Sequence, residues 1–149
     1  MERQTREEAQ ILIVFDDYSV TERLNTVLRE AGLIAECANS ITAGCEAASS
    51  GRFRVVVTTP VLSDGSWRRL VDAADHYGLG FEVVLFTSTF ELSQWAEALA
   101  EGAFDVLDAL HELPKAAAVT KRALEAADLK RARPRYEAGL AHLKWEAHR

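Results

Sequence analysis

The sequence predicts an α/β domain: a five-stranded parallel sheet with helices on both faces. Three observations carry this. Five short apolar runs alternate strictly with five helical patterns. The runs are almost continuously apolar, as expected of strands covered on both sides. Gly32, Gly51 and Gly102 punctuate helical patterns at their carboxyl ends. Parallel strands in such an order need right-handed crossovers.

Each element has its own signature. AQILIVF (9–15) is the first strand, and Val20, Leu24, Val27, Leu28 and Ala31 then recur at helical spacing up to Gly32. LIAEC (33–37) is the second strand. Asn39 or Ser40 can cap the next helix, which runs to about Ser50. FRVVVT (53–58) is the third strand and reads as central. Asp64 can cap a helix with Trp67, Leu70, Val71 and Ala74 on one face. FEVVLFT (81–87) is the fourth strand, and Ser88 with Glu91 forms a capping box before Leu92, Trp95, Ala96 and Leu99. FDVLDAL (104–110) is the fifth strand, and Pro114 sits in the first turn of a long last helix. The expected organisation is one domain over 9–131 and a helical extension or linker over 132–149.

The chain has 149 residues, 48% hydrophobic and 27% charged, with a net charge of -6. This suits a soluble globular domain and argues against a protein built mainly to hold nucleic acid. No apolar run approaches the ~20 residues that span a bilayer, and the polar start MERQTREEAQ has no signal-peptide core. A cytoplasmic protein with no membrane contact is expected. Cys37 and Cys45 fit neither a redox CxxC nor a zinc knuckle, and the four histidines fall at no ligand spacing.

In an open parallel sheet, ligands sit at the carboxyl ends of the strands. There the sequence places Asp16 and Asp17 after strand one, Thr58 and Thr59 after strand three, and Thr87 and Ser88 after strand four. Two adjacent acids suit a hard cation such as magnesium, and equally a helix cap.

These stretches, in this order, resemble a known family. ILIVFDDYSVTERLNTVLREAG, RVVVTTPVLSDGSWRRL, EVVLFTS and EGAFDVL resemble the response-regulator receiver domain of two-component signalling. The resemblance covers about residues 9 to 131. It implies strand order 2-1-3-4-5, and a phosphoryl group accepted by an aspartate at the end of strand three. Magnesium held by the acidic cluster would offset the phosphoryl charge.

The residues depart from that chemistry. The acceptor position, five residues before Asp64-Gly65, holds Thr59. A neutral hydroxyl is a poor nucleophile without a base and supplies no negative magnesium ligand. The lysine expected after strand five is replaced by Ala109, with Leu110 in place of proline. Lys115 lies six residues on. A gapless match puts Phe15 where the first acid belongs. One extra residue in strand one instead recovers Asp16 and Asp17 as the metal pair. Thr87 matches the family's switch hydroxyl. The resemblance therefore implies a degenerate receiver, not an enzyme, with no cofactor and weak magnesium binding at most. It would act on a signalling protein, an output domain or a second copy of itself.

The family's partner surface is its fourth helix, fifth strand and fifth helix. Its counterparts here are Leu92, Trp95 and Ala98 on the fourth helix and Val106 on the fifth strand. At Leu92–Trp95–Leu99 spacing, burial of Trp95 against the sheet is the favoured expectation. Trp67 either roofs the acceptor pocket or packs in the core. Lys130, Arg131, Arg133 and Arg135 form a short basic run, read as a solvated helix end rather than a nucleic-acid contact. The alternatives are a working receiver that uses Asp64 or Asp16 as acceptor, and an unrelated flavodoxin-like enzyme. No GxGxxG follows strand one to support the latter.

Overall fold

The structure is a computed structural model and describes residues 9–87 and 92–132. Strands β1 (Ile11–Val14), β2 (Ala35–Ala38), β3 (Val55–Thr58), β4 (Glu82–Thr87) and β5 (Ala103–Asp108) form one parallel sheet in the order β2-β1-β3-β4-β5. The helices between and after them are α1 (Tyr18–Glu30), α2 (Ile41–Ala48), α3 (Arg68–Tyr77), α4 (Leu92–Ala100) and α5 (Ala116–Ala132). This is the expected architecture and strand order.

The apolar runs divide between two cores because successive strand side chains point to opposite faces. On one face Ile11, Ile13, Val55, Val57, Val84 and Phe86 meet Leu24 and Leu28 of α1 and Val119 and Ala123 of α5. On the other, Leu12, Val14, Val56 and Leu85 meet Ile41 of α2, Leu70 of α3 and Ala98 of α4. Each large aliphatic side chain so buried contributes roughly 1.5–3 kcal/mol. Gly44 sets how closely α2 lies on the sheet: a Cβ there would stand 2.9 Å from Val14 Cγ2. Only glycine admits that approach.

Several boundaries differ from the sequence reading. Asp64 does not cap α3, whose first turn follows Trp67 with no side-chain cap. Between β3 and α3 the chain makes a two-stranded antiparallel ribbon of Val61–Leu62 against Gly65–Ser66, which delays the helix to Arg68. Pro114 lies in a separate 3-10 turn, Leu113–Lys115, ahead of α5. β5 ends at Asp108, because Asp108 and the residues after it turn back through hydrogen bonds from His111 and Glu112 N–H to Asp108 O. The capping pair Ser88 and Glu91 lies outside the described residues. So does the 133–149 part of the extension.

Candidate functional site at the carboxyl edge

Parallel pairing brings the ends of the strands to one edge. Val14 stands beside Thr58, Thr58 beside Leu85, and Thr87 beside Asp108. The residues that resemble a phosphoacceptor site are therefore neighbours. Their side chains do other things.

Thr58 is fully buried, and its hydroxyl donates to Val14 O at 3.1 Å and to Thr59 O at 2.9 Å. Thr59 follows half-buried, and its N–H donates to Val14 O at 3.4 Å. The end of β3 is tied to the end of β1 by neutral groups. Neither threonine is given a basic partner by these bonds that would activate its oxygen.

Phe15 is buried against Phe86, ring edge to ring face at 6.0 Å between centroids. An apolar ring thus fills the place the gapless match reserves for the first acid. Asp17 caps α1: its Oδ1 accepts from Ser19 N at 3.0 Å, Ser19 Oγ at 3.1 Å and Val20 N at 3.2 Å. The Val20 and Ser19 bonds hold its carboxyl below the ordinary value. Of the two roles weighed for this acid, the cap is the one its hydrogen bonds serve. Asp16 is exposed beside it.

Asp64 has a role that spacing could not reveal. Its Oδ1 accepts from Ile41 N and its Oδ2 from Thr42 N, each at 2.9 Å. Ser40 Oγ accepts from Ala43 N at 3.0 Å on the same helix end. The ribbon between β3 and α3 thus caps α2 from across the chain. The Thr42 and Ile41 amides hold the Asp64 carboxyl down at about 2. Arg69 Nη1 donates to Asp64 O at 3.1 Å and fixes the loop from the α3 side.

After β5, Ala109 is half-buried, and its N–H donates to Thr87 O at 3.0 Å. Thr87 is half-buried at the end of β4. Asp108 organises the following turn: it accepts from Leu110 N at 2.8 Å, and its other oxygen lies 3.1 Å from His111 Nδ1. The His111 contact is the main cause that keeps its carboxyl below the usual value. The pair is an Asp-x-x-His, visible in the sequence but not singled out there. Lys115 turns to Glu112 at 3.3 Å.

Magnesium would need several oxygen ligands converging on one point. Phe15 and Thr59 offer no carboxylate, and Asp17 and Asp64 are turned to backbone N–H groups. Among the described residues there is no group of three or more His, Cys, Asp or Glu that could hold a metal ion. Phe15 and Thr59 do not fit the cation, and Asp16 and Asp17 alone do not make such a set.

The partner-surface candidates separate. Trp95 is 39% exposed, so the expected burial against the sheet is not found. The helix instead buries the small Ala98, which is core rather than surface. Val106, 7% exposed, is also a core residue and presents almost no surface. Leu92 begins α4, but its side chain lies outside the described residues. Trp67 packs in the core at 2% exposure, with the Arg68 guanidinium 5.3 Å from its ring centroid. With Pro60, Val61, Gln94 and Glu97, Trp67 also lines a cleft of about 170 Å³.

No helix among the described residues is long and apolar enough to cross a membrane. No protein-family model and no curated protein matches the chain. Solved structures do. The signal receiver domain of an HD-domain-containing protein from Pseudomonas fluorescens Pf-5 superposes with a TM-score of 0.74 at 19% identity, over 89% of this chain and 98% of that one. The signal receiver domain of a LuxO repressor protein from Vibrio parahaemolyticus gives 0.74 at 14% identity, over 82% and 94%. The beryllofluoride-activated NtrC4 receiver domain dimer gives 0.70 at 21%, over 78% and 97%. The fold of this chain is that of the response-regulator receiver domain.

Proposed function

We propose that the chain is a receiver-like signalling module that works without phosphorylation, by binding another protein. One observation carries the reading. At the place of the acceptor stands Thr59, and two acids of the neighbouring loops, Asp17 and Asp64, are engaged at helix N-termini. Phosphorylation of Asp17 or Asp64 would remove the negative charge that its helix-end amides bind, and would weaken that cap. Ala109 supplies no ammonium for a phosphoryl oxygen. In this reading the protein is not an enzyme, needs no cofactor, and acts in the cytoplasm. Its partner is a signalling protein or output domain, or a second copy of the chain. The exposed Trp95 on α4 supports a protein contact, since buried aromatic anchors dominate such interfaces. A dimer is consistent with a similar fold having been solved as a receiver domain dimer.

The test is intact-mass spectrometry after incubation with magnesium and a small phosphodonor, beside Thr59→Asp. The native chain should gain no phosphoryl adduct. An adduct on the native chain that Asp16→Asn or Asp64→Asn removes would replace this reading with that of a phosphoreceiver using an unusual acid.

A further inference from the structure

A groove lies at the opposite, amino edge of the sheet, away from every residue discussed above as an acceptor or ligand. It holds about 620 Å³ between the ends of α3, α4 and α5. Its floor includes Val71 and Ala74 of α3 and Leu79, Phe81 and Val83 leading into β4. Asp75 and Glu101 stand among its lining acids. Lys130 and Arg131, in the last turn of α5, complete its wall. Arg131 is fixed there: its Nη2 donates to Phe53 O at 2.7 Å and to Leu79 O at 3.0 Å. Lys130 Nζ lies 3.0 Å from Glu82 Oε2.

The chain therefore leaves α5 at the wall of an apolar groove. Seventeen residues follow, 133–149, outside the described part. They carry Tyr136, Leu140, Leu143 and Trp145, and four Arg or Lys against two Glu, whereas the whole chain is at -6. An apolar segment meets a groove with an apolar floor, whose lining acids Glu82 and Glu101 already pair with Lys130 and Arg68 while Asp75 stands beside them. Reach is not limiting: ten residues span ~15 Å as helix and up to ~35 Å extended.

We propose that the segment containing Leu140 and Leu143 docks in this groove, within the same molecule. The groove is thereby a self-recognition site, which a partner or a following domain could open by competing for the segment. The proposal is independent of whether the carboxyl edge takes a phosphoryl group.

Hydrogen–deuterium exchange on the full chain tests it. In Leu140→Asp/Leu143→Asp, amides of 78–83 and 100–103 should exchange about tenfold faster or more, while those of β1 and β3 keep their rates. Unchanged rates at 78–83 would overturn it. Protection lost on dilution of the native protein would overturn it in favour of a second copy's segment. Protection indifferent to the substitutions, with a small molecule retained in the native mass spectrum, would overturn it in favour of a ligand. A second measurement does not rely on loss. With Cys37→Ser and Cys45→Ser removing the two free thiols, Ala74→Cys/Leu143→Cys should form a disulfide within the monomer on mild oxidation, since bridging needs Cα atoms within about 7 Å. Failure to cross-link, or cross-linking only between chains, would overturn the proposal.

Discussion

The interior of the sheet and its carboxyl edge are held together by different kinds of group. Inside, apolar strands bury against helices on both faces, in a fold similar to that of the solved receiver domains. At the edge, Phe15, Thr59 and Ala109 are uncharged, Asp17 and Asp64 cap helices, and Asp108 organises a turn. The difference teaches that fold and chemistry are held by separate sets of residues. Burial of Val, Leu and Phe needs no charge at the strand ends, so the edge can change without loss of the scaffold. Recognition of the fold does not carry the activity with it.

The contrast can be broken most directly from the inside. Phe86→Ala empties a fully buried site and strips Phe15 of its ring contact, so it should cost about 3–5 kcal/mol. The denaturant midpoint should fall with an unchanged slope. Thr58→Val, at the boundary between the regions, removes a hydroxyl bonded to two carbonyls and should cost only about 1 kcal/mol. A loss as large as that of Phe86→Ala would show that the edge is part of the framework, and the contrast would fail.

Asp64 sharpens the contrast through its pH dependence. Its carboxyl sits at about 2 against an ordinary 3.8, because amides of Thr42 and Ile41 bind the charged form. A depressed value stabilises the fold above the unfolded value and loses that contribution as pH falls through the folded one. Wild type should therefore exceed Asp64→Asn in urea midpoint near neutrality, and the gap should close as pH falls from about 4 to about 2. A gap independent of pH would remove the charged cap from the account. The smallest effect is expected at Lys115→Ala. It breaks only an exposed pair with Glu112 and should shift stability by about 0.5 kcal/mol or less.

Much of the fold was legible because the signals are local. Strict alternation gives the parallel sheet, Leu24 and Leu28 lie one turn apart, and Ser40 caps α2 three residues before the amide it meets. At the candidate site, Thr59 and Ala109 can be read from the sequence as departures from the pattern that the resemblance implies. What stayed hidden depends on distance in the chain. Asp64 and Ile41 are 23 residues apart and meet only after β3 is laid beside β1. From the sequence, Asp64 suits the helix that follows it, and that local reading is the wrong one. The ribbon at 61–66 has two-residue strands, too short to show a period. Trp95 was expected inside because its spacing matches a helix stripe. The helix instead buries Ala98, which lies outside that stripe and whose small side chain fits α4 close to the sheet.

The last turns of α5 bind to the starts of the two central strands. Arg131 holds Phe53 O and Leu79 O, Asp128 pairs with Arg54 at 3.1 Å, and Lys130 pairs with Glu82. In mechanical terms this is a load path. A pull on the chain beyond Ala132 is not absorbed by fraying a loose helix end. It is shared in shear among three ties and delivered to β3 and β4, the middle of the sheet. Whatever tugs on that end addresses the domain as one stiff body.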